Sequence, residues 1–108
     1  MKTLPPDFPY VPEMYDDGYF PNPLVDKVRD AIQEAVAFIE EGHHTTDEIQ
    51  AAFDRMTEKI DGLQSEFEEA GSELETVARD SIGLTVKKLL EYFKIGIDVE
   101  HAIGLRDW

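Results

Sequence analysis

Every proline of this 108-residue chain lies within its first 23 positions, and this distribution constrains the fold more than any other feature. The prolines occupy positions 5, 6, 9, 12, 21 and 23. Proline breaks the hydrogen-bond ladder of a helix interior, so a helix can propagate freely only in the rest of the chain. We therefore predict one helical domain over residues 1–108, with a Pro-rich N-terminal arm at 1–22 and a helical body at 23–108.

The first predicted helix of the body runs from Pro23 to Glu41. Asn22 suits the N-cap position and Pro23 the first turn, while Gly42 provides a stop signal. Between these signals the apolar residues recur at helical spacing and share one face. This pattern predicts a helix that buries one side.

The second predicted helix begins at Thr45 and Glu48, whose spacing forms a capping box. Over residues 49–67 its apolar positions alternate three and four apart, as in a coiled-coil seam. Gly62 costs about 1 kcal/mol of helix propensity relative to Ala, so we expect a bend or a close helix crossing there. Gly71 is expected to end the helix.

The third predicted helix begins at a second capping box, formed by Ser72 and Glu75. Its short connection to the second helix predicts an antiparallel hairpin, and its wide apolar surface predicts deep burial. Gly96 is expected to end it, and Asp98 to cap a short fourth helix. The predicted fold class is all-α: a three-helix bundle with an antiparallel helical hairpin, a short fourth helix and a Pro-rich arm.

The net charge of −14 at pH 7 argues against several classes of partner. With 24 acidic and 10 basic side chains, the chain repels nucleic acid and anionic membranes and favours a basic protein partner. No apolar run approaches the length of a membrane span, and the absence of Cys excludes disulfides and thiolate sites. We expect a cytoplasmic protein that binds neither nucleic acid nor membrane. A monomer and a homodimer both satisfy its apolar seams.

Two stretches contain candidate protein-binding residues, because they combine acidic side chains with aromatic rings or with a turn between helices. The candidates are Tyr15, Asp16, Asp17, Tyr19, Glu66, Glu68, Glu69, Glu73 and Glu75. A structural alternative is that the Tyr rings pin the arm to the bundle and the Glu residues form a solvated tip. Exposed Tyr side chains would favour recognition, and buried ones would favour the structural alternative.

The pairs Glu40/His43 and Glu41/His44 have the Glu-x-x-His spacing of di-iron bundles, but such sites need pairs on different helices. They are weak metal candidates, since a solvated helix end explains them better. No catalytic Ser–His arrangement, phosphate-binding Gly loop or calcium loop is present. The sequence therefore predicts no cofactor, no metal and no catalytic residue.

These observations favour a non-enzymatic protein-binding module, of an inhibitor or immunity type, that engages a basic partner. One alternative is a metal- or small-molecule-binding helical protein or enzyme. Another is a structural subunit of a larger complex.

Two blocks of the chain resemble a known family. They are "EMYDDGYFPNPLVDKV" at residues 13–28 and "FEEAGSELETVARDSI" at residues 67–82, accompanied by the closing "RDW". They resemble a family of small acidic bacterial proteins of unknown function, DUF5713. The resemblance implies a stand-alone, cytoplasmic, helical bacterial protein, and it assigns no activity and no catalytic residue. Residues 29–66 and 83–97 resemble the family less clearly.

Overall fold

The computed structural model describes residues 3–108, which are helical and contain no strand, so the predicted all-α fold is confirmed. The first two residues of the predicted arm lie outside this range. Three long helices form the body: α2 (Asn22–Glu40), α3 (Thr46–Asp61) and α5 (Thr76–Tyr92). Three short ones accompany them: α1 (Pro12–Asp16), α4 (Gln64–Glu69) and α6 (Val99–Ala102).

The arm is more ordered than its prolines suggest, because it contains α1. Pro12 stands at the first position of that helix, where its missing N–H costs no hydrogen bond. The start of α2 also differs from the prediction. Pro21, not Asn22, is the N-cap, and its carbonyl accepts the N–H groups of Leu24 and Val25. Asn22 therefore belongs to the first turn, and no side chain caps the helix.

α2 and α3 pack together as an antiparallel hairpin, so the hairpin joins the first and second predicted helices and not, as predicted, the second and third. Gly42 ends α2 with a φ of 78°, in the left-handed region that glycine adopts without a steric cost. The Thr45 hydroxyl accepts the Glu48 N–H at 3.1 Å, and the Glu48 carboxylate accepts the Thr45 N–H at 2.8 Å. The predicted stop and capping box are both confirmed.

The second predicted helix is divided into α3 and α4 by a turn at Gly62 and Leu63. The Leu63 N–H donates to the carbonyl of Ile60, only three residues back, so the chain tightens there. The helix is thus interrupted at Gly62, where a bend or a close crossing was expected, although Gly62 and Leu63 both keep right-handed helical dihedrals. The apolar seam nevertheless continues across it, because Leu63 and Phe67 are both buried.

The second predicted capping box is wrong. α5 begins at Thr76, with Glu75 as an N-cap residue whose side chain makes no capping bond. The Ser72 N–H instead donates to the Phe67 carbonyl at 2.8 Å, and Gly71 adopts a φ of 78°. This is the Schellman arrangement that ends a helix, so Ser72 closes α4 and does not open α5.

α5 ends at Tyr92, before the predicted stop at Gly96. Lys94 adopts a φ of 55°, and the Ile95 N–H donates to the Leu90 carbonyl at 2.9 Å. The helix therefore ends in the same Schellman geometry as α4, but with lysine at the left-handed position.

α5 packs against α1 and α6. Its wide apolar surface is only partly covered, since Leu90 is buried while Val77 and Leu84 are 36% and 43% exposed. Asp98 begins α6 as predicted, because its carboxylate accepts the His101 N–H at 2.9 Å.

One apolar cluster joins the arm, the body helices and the C terminus. Met14 and Phe20 of the arm are among its largest buried side chains, together with Phe53 and Phe67 of the body. The arm is therefore part of the core. No helix in residues 3–108 combines the length and apolar composition needed to cross a bilayer.

Candidate functional site

The arm is joined to α5 by two polar contacts that sequence reasoning missed. The buried Val11 N–H donates to the Thr85 hydroxyl at 3.1 Å, and the Ser81 hydroxyl donates to the Glu13 carboxylate at 2.6 Å. Val11 is fully buried with a φ of 38°, a conformation that a β-branched residue rarely adopts. Ser81 and Thr85 lie one turn apart on a buried face. These two polar residues were the sequence signal that could have indicated the contacts.

Tyr15 is half-buried and is held to α2 by its hydroxyl, which donates to the Asp26 carboxylate at 2.5 Å. Burial, followed by this hydrogen bond, raises the pKa of Tyr15 to about 12. Arg29 lies 3.6 Å from the same carboxylate. The hydroxyl of Tyr15, its single side-chain polar group, is thus already engaged inside the protein.

The turn after α1 presents Tyr19 and the two adjacent acids. Tyr19 is 44% exposed, and its N–H donates to the Asp17 carboxylate at 3.0 Å, while Asp16 is exposed. The next residue, Phe20, is buried, and its ring meets the Phe67 ring edge-on with centroids 6.3 Å apart. Phe20 therefore anchors the turn against α4.

The candidate glutamates alternate with buried residues along α4 and the loop that follows it. Phe67, Ser72 and Leu74 are buried. Glu66 forms an ion pair with Lys27 at 2.6 Å. The remaining four candidates are exposed, and none forms an ion pair within residues 3–108: Glu68, Glu69, Glu73 and Glu75.

The contact of Phe20 with Phe67 brings the arm stretch and the glutamate stretch to the same part of the molecule. Together their outward residues form the acidic surface: Asp16, Asp17, Tyr19, Glu66, Glu68, Glu69, Glu73 and Glu75. Tyr15 does not belong to it, because the hydroxyl that is its single side-chain polar group is bound to Asp26, whereas each carboxylate keeps further acceptor positions.

Of the weak metal candidates, Glu40 contacts the arm, and Glu41 and His44 contact each other. The Glu40 carboxylate accepts the Leu4 N–H at 2.8 Å, which ties the arm to the end of α2. His44 Nε2 lies 3.1 Å from Glu41 Oε1, and His43 is exposed. Within the part of the chain that the structure describes, no group of three or more His, Asp or Glu side chains is placed to hold a metal ion.

The acidic surface can attract positively charged groups. Acid–base catalysis by carboxylates requires burial or a close partner that separates their pKa values. Glu68, Glu69, Glu73 and Glu75 are instead exposed to water. Exposed carboxylates next to an exposed tyrosine suit contact with ammonium and guanidinium groups.

Comparison with known proteins identifies a family and no function. No curated protein and no solved structure matches the chain. A family model described as "family of unknown function (DUF5713)" matches residues 6–108, including both the arm and the acidic surface. Because this match covers almost the whole sequence, the chain belongs to DUF5713, a family of unknown function.

Proposed function

We propose that this protein is a non-enzymatic protein-binding module whose acidic surface engages a basic partner. The observation that carries the proposal is that Glu68, Glu69, Glu73 and Glu75 are exposed and have no ion-pair partner within the described residues. Four carboxylates so close in sequence repel one another. A partner that supplies Lys or Arg side chains relieves this repulsion.

The backbone that carries these glutamates is held in place before any partner arrives. Phe67 and Leu74 anchor the segment in the core, and the Schellman turn at Gly71 sets its direction. A preorganised surface loses less conformational entropy on binding than a flexible one. The segment therefore suits specific recognition better than a disordered acidic tail would.

The net charge supports fast encounter with a cationic protein. A charge of −14 attracts a basic partner over distances comparable with the Debye length, about 8 Å at physiological salt. Tyr19 adds an exposed ring beside the carboxylates, and such a ring accepts Arg and Lys by cation–π contact. A module of this kind acts as an inhibitor or immunity-type protein when it covers a functional cationic site.

The test is affinity capture from native lysate over a range of salt concentrations. The first variant neutralises the unpaired carboxylates: Glu68→Gln, Glu69→Gln, Glu73→Gln and Glu75→Gln. A matched control makes the same change in net charge at exposed acids elsewhere: Asp7→Asn, Asp47→Asn, Glu58→Gln and Glu91→Gln.

We expect the native chain and the control to capture the same basic protein, released by salt, and the first variant to lose it. Capture that is indifferent to salt, or equal for the two variants, contradicts the proposal. The activity of a captured partner then separates an inhibitor, which lowers it, from a structural subunit, which leaves it unchanged.

A further inference from the structure

A groove of about 570 Å³ lies between α5 and the C-terminal segment that contains α6. Sites for small molecules typically span about 300–1,000 Å³. Leu84, Val99 and Ile103 give the groove an apolar component, and Leu84 is 43% exposed. The groove is thus large enough for a small organic molecule and offers it a surface to cover.

Two cations in this groove have no carboxylate partner within the described part of the chain. Arg79 and Lys87 both line it, and neither lies within 4.0 Å of a carboxylate in residues 3–108. Among the described residues, the guanidinium of Arg79 forms a single hydrogen bond, which it donates to the Thr76 hydroxyl at 3.2 Å. Arg106, the third cation, is paired with Glu100 at 3.2 Å. Arg79 and Lys87 are therefore free to bind an anion, although the chain has 24 acidic residues.

Gly83 lies between these two cations, one turn from each along α5. Glycine weakens a helix interior, so its presence there calls for a reason. Close packing is not that reason, because a Cβ built on Gly83 would meet nothing within 4 Å. The missing side chain instead leaves bare backbone and open space on the groove, within reach of the side chains of Arg79 and Lys87.

Asp80 also lines the groove and has no ion-pair partner among the described residues. Its charge opposes a second negative charge on the ligand, which favours a singly charged carboxylate over a doubly charged phosphate. The net charge of −14 also opposes the binding of an acidic protein, because it repels that protein over its whole surface. It opposes the binding of a small anion far less, because the contacts of a small anion are local.

We infer that this groove is a binding site for a small organic carboxylate with an apolar body. The carboxylate lies over Gly83 between Arg79 and Lys87, and the apolar body covers Leu84 and Val99. The site is independent of the acidic surface proposed above, so either one stands if the other fails.

The test uses octanoate as the probe and follows the backbone amides of the protein by NMR during titration. We expect shifts concentrated on α5 around Gly83 and Leu84. Octan-1-ol and octyl phosphate, whose alkyl chains are one methylene longer, are nevertheless expected to bind more weakly. Octanoate shifts that map elsewhere, or octan-1-ol binding as tightly as octanoate, overturn the inference.

Variants separate the site from general electrostatics. Arg79→Gln and Lys87→Gln are each expected to weaken octanoate binding about two- to fivefold, the range of an exposed ion pair. Lys88→Gln is the matched control, because it removes the same charge one position away from the groove lining. Gly83→Leu fills the open space and is expected to abolish binding while circular dichroism shows the helix intact. Equal affinities for Lys87→Gln and Lys88→Gln contradict the assignment.

Discussion

At the scale of single residues, the contacts that matter most join the arm to the body. Val11 bonds to Thr85 and Glu13 to Ser81, pairs that are far apart in the chain but adjacent in space. Phe20 fills the core beside Phe67. Because these contacts couple the arm to α4 and α5, the arm and the body are expected to unfold together.

The hydroxyl of Tyr15 gives a pH-dependent test of arm docking. Its pKa is raised to about 12 by burial and by the bond to Asp26, above its ordinary value of 10.0. The neutral phenol donates to Asp26 and the phenolate does not, so this stabilisation is complete below pH 10 and is lost as the pH rises through about 12.

We expect Tyr15→Phe to lose about 1–3 kcal/mol at neutral pH and to show a flatter loss of stability in the alkaline range. Urea denaturation at a series of pH values measures both quantities. If the stability of Tyr15→Phe falls with alkaline pH as steeply as that of the native chain, the Tyr15 hydrogen bond does not contribute to the pH dependence.

Adjacent aromatic residues of the arm turn are expected to differ sharply in their effect on stability. Phe20→Ala removes a buried ring and should cost about 3–5 kcal/mol. Tyr19→Ala, at an exposed position, should change the free energy of unfolding by less than about 0.5 kcal/mol. Chemical denaturation compares them, and similar losses would mean that Tyr19 is also an anchor.

At the scale of helices, the same Ser/Thr-x-x-Glu motif has different roles at Thr45 and at Ser72. Thr45 and Ser72 both stand three residues before a Glu, yet only Thr45 caps a helix. Ser72 is held by the Schellman turn of α4, and its buried hydroxyl has no partner within the described residues.

Alanine substitutions at these two positions test the difference. Thr45→Ala removes a cap and is expected to cost about 1 kcal/mol. Ser72→Ala removes an unpaired buried hydroxyl and is expected to be neutral or stabilising. Thermal and urea unfolding measure both, and a loss at Ser72 equal to that at Thr45 would indicate a hydrogen bond that the structure does not contain.

The ends of α4 and α5 allow a second comparison, because Gly71 and Lys94 occupy the same left-handed position. Lys94→Gly relieves a backbone conformation that costs a non-glycine residue about 1 kcal/mol, so it is expected to stabilise the protein by a similar amount. Gly71→Ala introduces that strain and is expected to destabilise it. We expect the denaturation midpoint to rise for Lys94→Gly and to fall for Gly71→Ala. A destabilised Lys94→Gly variant would contradict this expectation.

At the scale of the whole molecule, net charge is the dominant feature. A charge of −14 on 108 residues disfavours the compact state through self-repulsion. The ion pairs that offset it lie on the surface, where each contributes little.

We therefore expect the melting temperature to rise when salt is added from low concentration to about 0.15 M, because salt screens the repulsion. The variant that neutralises Glu68, Glu69, Glu73 and Glu75 should show a smaller rise. Calorimetry at several salt concentrations measures the effect. A melting temperature that falls with salt would mean that the ion pairs outweigh the repulsion.

The acidic surface was only partly predictable from the sequence. Its glutamates stand out by composition, and Gly71 correctly marked the end of the helix that carries Glu66, Glu68 and Glu69. That Phe20 brings the arm stretch against them depends on a ring contact between residues 20 and 67, which no local spacing contains. The engagement of Tyr15 by Asp26 and the open groove at Gly83 likewise depend on how the helices pack.

The sequence by itself determined the helical class, the turns at Gly42 and Gly71, and the caps at Thr45 and Asp98. These features arise from interactions between residues a few positions apart, whose energies are present in any helix of that sequence. Tertiary structure alone decided that the Pro-rich arm is part of the core, that Ser72 is buried, and that Leu84 stays exposed. Burial depends on which distant segments meet, so it is settled only when the whole chain packs.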